Sequence, residues 1–374
     1  MISRSEIKKN TAVVCSLLLF ALLIFFPSDC AEGALTGLKN CALILIPSLF
    51  PYMLLSLFVM YTGTDEKIGR FFSPVVRILF DLPPICAAPI ILSLTGGYPV
   101  GAGCVRALYS DGKITLEQAR RMMYFCVCPG PAFMITAIGA VMLRNNTAGI
   151  ILYCSQVISS LVIGIFLGII SRMRPTEKNS ADIRKIQKNK VILSSAFINA
   201  ARDSSSTVIT MTALVTVFAV FTRVLHSSGI VRLFCETLVY FGAGKRESEV
   251  IFPIILEVTG GCCSVNDSGL PLWWFAFAAG FGGLCVHLQI LSVSGDNKIM
   301  TPLYLLFRII NSILSGIIVM IFCIFYNPTE EVFLTMGGET ARLTSTGPAG
   351  SVALLILCIL FVLSFHGRRS FRRN

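Results

Sequence analysis

Leu92-Ser93-Leu94-Thr95-Gly96-Gly97 and Leu256-Glu257-Val258-Thr259-Gly260-Gly261 match at four of six positions, and each lies in an apolar run. A glycine costs a helix interior about 1 kcal/mol relative to alanine, so a Gly-Gly pair is expected to interrupt it. Interruptions at corresponding places in two halves of a membrane protein point to a substrate site. These two stretches therefore set the expected fold.

The surrounding composition supports a membrane setting. Hydrophobic residues make up 55% of the 374 and charged residues 14%, whereas a soluble domain carries about a quarter charged residues. An integral membrane protein is expected. The net charge of +11 would suggest nucleic acid in a soluble protein, but most of it lies in a few short loops, so no nucleic-acid partner is expected. Most of the fourteen cysteines stand singly in apolar runs (Cys15, Cys41, Cys104, Cys154, Cys323, Cys358), where they act as small hydrophobes. Only Cys262-Cys263 and Cys126-x-Cys128 are close pairs, and no His cluster accompanies them. No metal or cofactor is expected. No nucleophile-base arrangement, zinc motif, phosphate loop or dinucleotide fingerprint occurs, so an enzyme is not expected; Glu257 with His287 would be the pair for an intramembrane one.

Charge sets the topology. Arg4, Lys8 and Lys9 precede an apolar run from Thr11 to Phe26, read as an uncleaved first span with a cytoplasmic N-terminus. After a short acidic turn with Asp29 and Glu32, Leu38 to Thr62 returns, kinked by Pro47 and Pro51. Residues 65–81 read as an amphipathic interfacial helix. The run 82–109 is too short for two crossings of about 20 residues each. As a single crossing it would put the basic linker 171–203 outside, against the positive-inside rule; a re-entrant hairpin keeps the linker inside. Met122 to Leu143 then crosses, interrupted at Cys128-Pro129-Gly130-Pro131, and Gly149 to Ile170 returns.

The second half repeats the programme with a span (Ser204 to Leu225), an interfacial segment (Ile230 to Glu249), a hairpin at 250–271, a span broken at Gly280 to Gly283, and Pro302 to Phe325. A short last span, Val352 to Phe365, leads to a cytoplasmic tail with Arg368, Arg369, Arg372 and Arg373. The expectation is an all-α polytopic membrane protein, an inverted-repeat transporter-like bundle with two re-entrant helical hairpins and broken helices. Its parts are 1–37, a first repeat 38–170, the linker 171–203, a second repeat 204–326, and 327–374 with an external loop, span and tail. Self-association is compatible with this plan.

A half-helix of ten residues reaches about 15 Å, the middle of a roughly 30 Å hydrocarbon core. The second arm of each hairpin then points unpaired N–H groups and a positive dipole end at the midplane, where an anionic or polar ligand fits. The candidate substrate-binding residues are Thr95, Gly96, Gly97, Tyr98, Gly130, Pro131, Thr259, Gly260, Gly261, His287 and Gln289. Glu257, with Ser93 at the aligned position, is the candidate for coupling to H+ or Na+. The alternative is that the glycines only permit close helix packing. Arg308 is expected to snorkel to the cytoplasmic interface, and Gln156 and Asn311 to bond between helices.

At Thr95-Gly-Gly-Tyr-Pro-Val-Gly101-Ala102, Gly130-Pro131-Ala132-Phe133, Glu257-Val-Thr-Gly260 and Gly282-Gly-Leu-Cys-Val-His-Leu-Gln289, the chain resembles the sporulation integral membrane proteins of the YlbJ/SpoVV type, which carry the nucleoside-recognition, or Gate, domain. The resemblance spans roughly residues 38–326, with Cys128 departing from the small polar residues expected before the Gly-Pro pair. It implies hairpins and broken helices similar to those of concentrative nucleoside transporters. It also implies a role in endospore formation, in moving dipicolinic acid across the outer forespore membrane. The opposed helix N-termini would then take the two carboxylates of that dianion, with Tyr98 on the ring. A nucleoside transporter and a non-transporting sporulation scaffold that uses the basic linker and tail are the competing expectations.

Overall fold

The computed structural model describes residues 20–21, 23–63, 71–173, 193–295 and 298–325. All of these belong to one unit, Met1–Pro328. The basic linker from 174 to 192, the last span, the arginine tail and most of the first predicted span lie outside the described residues. Every regular element among those described is a helix, and no strand occurs.

The first long helix, α1 (Pro27–Tyr61), begins earlier than the hydropathy suggests. Pro27 stands in its first turn, where a missing N–H costs nothing, and Asp29 lies near its positive end. The acidic turn expected at Asp29 and Glu32 is therefore helical; both carboxylates pair with Arg223, at 3.3 and 2.7 Å. A π-helical turn at Cys41–Leu45 precedes Pro47 and Pro51 within the same helix. Helix α2 (Ser73–Phe80) then bends by 98° into the next apolar segment.

The first hairpin has arms α3 (Ala87–Gly96) and α4 (Tyr98–Ser110). The arms press together near the tip, since a Cβ on Gly101 would fall 2.8 Å from that of Ser93. Helix α5 (Leu116–Phe125), opened by a Thr115/Gln118 capping box, stops before an unwound stretch, and α6 (Ala132–Met142) continues as a π-helix. Prolines at 129 and 131 explain the unwinding. The half ends with α7 (Asn146–Met173).

The second half follows the same order: α8 (Leu193–Ser227), α9 (Ile230–Tyr240), hairpin arms α10 (Lys245–Leu256) and α11 (Val258–Asp267), a broken span α12 (Trp273–Phe281) and α13 (Gly283–Ser294), and α14 (Pro302–Phe325). Helix α10 starts before the predicted hairpin, so the interfacial segment ends at Tyr240. Five helical stretches are long and apolar enough to cross a membrane: α1, α7, α8, α12 with α13, and α14. The described chain is thus an all-α, multi-pass membrane protein.

Hydrogen bonds identify the two ends of the bundle. At one end Arg121 donates to Phe80 O (2.5 Å) and Ser171 Oγ (2.7 Å), Arg106 to Val293 O (2.9 Å), Arg120 to Lys298 O (2.8 Å), and Tyr61 to Asp203. Both ends of the first hairpin lie there. At the other end Asp29 and Glu32 meet Arg223 and Ser227. Cys235 donates to Ser248 O (3.4 Å), placing the start of the second hairpin against α9, which follows α8 from this end.

Candidate functional site

Each hairpin tip sits against a break between two helices of its own half. Gly97 has φ +84° and ψ −175°, a conformation essentially reserved for glycine. A Cβ on Gly130, in the unwound stretch between α5 and α6, would lie 3.1 Å from Gly97 N. In the second half, a Cβ on Gly283, itself at φ +73°, would lie 3.0 Å from Glu257 N and from Ile254 O. Backbone meets backbone because Gly97 and Gly130 at the first place, and Gly283 at the second, have no side chain.

The second break is at Glu257, not at Gly260-Gly261 as the six-residue match predicts. Glu257 has extended dihedrals (φ −152°, ψ 132°), while both glycines lie inside α11. The two breaks are therefore offset by one helical turn relative to the sequence match, and Gly97, not Ser93, stands opposite Glu257 in the fold. Gly261 serves packing, because a Cβ there would fall 2.8 Å from Ile254 Cα.

Glu257 is 6% exposed, and its carboxylate accepts from Thr259 N (2.8 Å) and Gly260 N (2.6 Å). The N-terminus of α11 is thus capped by a carboxyl group of the chain itself. This corrects the expectation that both hairpin N-termini are open to substrate carboxylates. The N-terminus of α4 has no side-chain cap.

A narrow cavity of about 30 Å³ joins the two halves, lined by Gly96, Gly97, Tyr98 and Gly130 on one side and Glu257, Thr259 and Gln289 on the other. Apolar side chains of α1 and α8, including Met53 and Met211, complete the wall. That volume suits about one water molecule. The Thr259 hydroxyl is completely buried beside the Glu257 carboxylate without a hydrogen bond of ordinary geometry. Tyr98 lends the cavity its ring, but its hydroxyl is committed to Ala279 O on α12, at 2.5 Å.

Five of the predicted binding residues lie elsewhere. Thr95 is exposed and bonds back to Ile91 O (3.3 Å). Pro131, Gly260 and Gly261 line no part of the cavity. His287 is buried against Tyr304, with Nδ1 3.2 Å from its hydroxyl, and its Nε2 has no partner.

Arg308 does not snorkel. It is 1% exposed and donates Nη1 to Val127 O and Nη2 to Gly280 O, past the last turn of α5 and at the end of α12. Each helix C-terminus carries roughly half a negative charge, so two of them offset one guanidinium without a carboxylate. One residue thereby ties the unwound stretch after α5 to the break after α12. Asn311 reaches Gln156 Oε1 (3.2 Å), and Gln156 donates to Ala276 O (2.7 Å), the interhelical bonding expected of both. Sequence reasoning missed the convergence on Gly280, because carbonyls freed by a helix break leave no trace in residue type.

All the described cysteines are free thiols, and no group of three His, Cys, Asp or Glu among the described residues is arranged to hold a metal.

No family model matches the chain, and no solved structure matches it. The sporulation integral membrane protein YlbJ of Bacillus subtilis (strain 168) is 22% identical to it over 396 aligned positions that cover 95% of each chain. The likeness extends over nearly the whole of both chains, so the chain is similar end to end to a YlbJ-type sporulation integral membrane protein.

Proposed function

We propose that the protein carries a small anionic metabolite across a membrane, with dipicolinic acid during endospore formation as the first candidate. The observation that carries this reading is the meeting of two hairpin tips and two broken spans around one midpoint cavity that includes Glu257. Irregular backbone at membrane depth is tolerated where it lines a cavity or is buried in protein. Four such interruptions around one point are what a transport site requires, and more than helix packing needs. In this state the centre is closed, and substrate reaches it when the hairpins part from the broken spans. The bundle is read as inverted repeats. Its end with Arg77, Arg106, Arg120, Arg121 and Arg172 faces the cytoplasm by the positive-inside rule. Glu257 is the site for a coupling H+ or Na+. The name of the relative supports a sporulation membrane, and the outer forespore membrane is the proposed location.

Uptake of labelled dipicolinate and of labelled uridine into proteoliposomes tests the proposal. Dipicolinate uptake above protein-free liposomes is expected. Uridine uptake alone keeps transport and discards the substrate; uptake of neither leaves the scaffold reading.

A further inference from the structure

A second, larger cavity of about 440 Å³ opens at the basic end, between the final turns of α1, the arm α4, the stretch of α8 from Asp203 to Met211 and the end of α13. That volume lies in the range of small-molecule sites, roughly 300–1,000 Å³. Nine of its eighteen lining residues are polar, set among apolar side chains of α1 and α4. Asp203, Ser206, Thr207 and Thr210 contribute a stripe at helical spacing along α8. Arg106 stands at the rim, one guanidinium nitrogen 2.9 Å from Val293 O.

The order of residues along the walls fixes the relation of this chamber to the midpoint. Met53, Pro99, Met211 and Gln289 line both spaces. On each of the four helices the shared residue lies at the inner limit of the chamber, while Tyr61, Ser110, Asp203 and Val293 lie at the outer limit. On α1 and α8 the distance between these limits is about two helical turns, or about 12 Å. The chamber is therefore stacked on the midpoint cavity along the bundle, and the shared residues form the wall between them.

We propose that this chamber is a docking site for a small organic anion in its hydrated state, open to the basic face, with Arg106 receiving the acidic group and Met53, Met211 and Gln289 closing the way to the midpoint. The proposal rests on the transport reading, and it adds the face of access, the residue that recognises charge and the residues of the gate.

Thiol accessibility in oriented vesicles tests it, with the face marked by an epitope inserted at Gly112, a turn glycine with open space around it. Thr207→Cys is compared with Ile209→Cys, which is 69% exposed on the same helix but away from the chamber. A membrane-impermeant sulfonate-bearing thiosulfonate is expected to modify Thr207→Cys from the Gly112 face alone and Ile209→Cys no faster than the wild type. Adding Arg106→Gln should slow that reagent about tenfold relative to an ammonium-bearing one, the lower range of steering by local charge. Dipicolinate should protect Thr207→Cys. Failure of Thr207→Cys to react, reaction from the opposite face, or an unchanged reagent ratio in Arg106→Gln overturns the proposal. If the labelling is as expected but no solute is taken up, the chamber stands and the transport reading falls. Uptake without labelling gives the reverse.

Discussion

Replacing Gly97 by alanine tests the geometry of the first hairpin tip at its most demanding point. The residue sits at φ +84° and ψ −175°, and holding a side-chain-bearing residue in so sparse a region costs about 1–3 kcal/mol. Steric overlap adds little, since the new Cβ would meet Gly130 N at 3.4 Å, an ordinary contact. A cost of about 1–3 kcal/mol lowers the occupancy of the native tip relative to alternatives by a factor of about 5–150. Gly103→Ala on the same arm is the control. Its nearest neighbour is Val293 Cγ1 at 3.4 Å and its dihedrals are helical, so it should be neutral or gain up to about 1 kcal/mol. Thermal unfolding in detergent and uptake into proteoliposomes are measured for both. Gly97→Ala is expected to lower the midpoint and lose most uptake while Gly103→Ala, the control for stability, retains its midpoint. Equal midpoints and equal uptake would refute the reasoning, because the tip would then tolerate a Cβ.

Glu257→Ala leaves two buried N–H groups without an acceptor and should cost about 2–6 kcal/mol of stability. Glu257→Gln keeps one acceptor, so it should lose less by the same denaturation assay, and its uptake should no longer respond to the ion gradient. Arg308→Lys replaces two spaced donors with one nitrogen and should cost about 1–3 kcal/mol in chemical denaturation; wild-type stability would mean that Val127 O and Gly280 O do not both need a donor. Tyr98→Phe strands Ala279 O and should lower stability by about 1 kcal/mol, with uptake retained if only the ring meets the solute.

Much of the architecture was legible because proline and glycine act through backbone geometry that residue type reports directly. Pro129 and Pro131 located the break in the first broken span, and Gly282-Gly283 the second. Hydropathy and loop charge led to the hairpin at 82–109. What failed was the placement of breaks and partners. The six-residue match aligned Gly97 with Gly261, but the second helix breaks where Glu257 turns its carboxylate onto the following N–H groups, a local competition the alignment cannot weigh. Hydropathy put a turn at Asp29 and Glu32, whereas those acids are satisfied by Arg223, nearly two hundred residues away in sequence. The polar stripe of α8 is readable as Asp203, Ser206, Thr207 and Thr210 at helical spacing, but residue type alone does not say whether the polar face of a continuous span borders a cavity or a neighbouring helix.

The helix ends around the midpoint also constrain what the cavity can hold. Each half-helix contributes roughly half a charge, positive at its N-terminus and negative at its C-terminus. Arg308 offsets the C-termini of α5 and α12. The start of α13 lies against Ile254 O, at the end of α10, so those two offset each other. Glu257, when ionised, more than offsets the N-terminus of α11. The ends left over are the C-terminus of α3 and the N-termini of α4 and α6, whose balance is positive. The wall at Gly97 and Gly130 is thus positive and the wall at Glu257 negative. In the transport proposed above, a single acidic group is held at the first wall, and a second one brought toward an ionised Glu257 is repelled unless a proton or cation arrives with it. On the proposed reading, a dianion crosses together with that cation. The unequal ends of the two halves then supply the coupling that an exactly repeated pair of hairpins would lack.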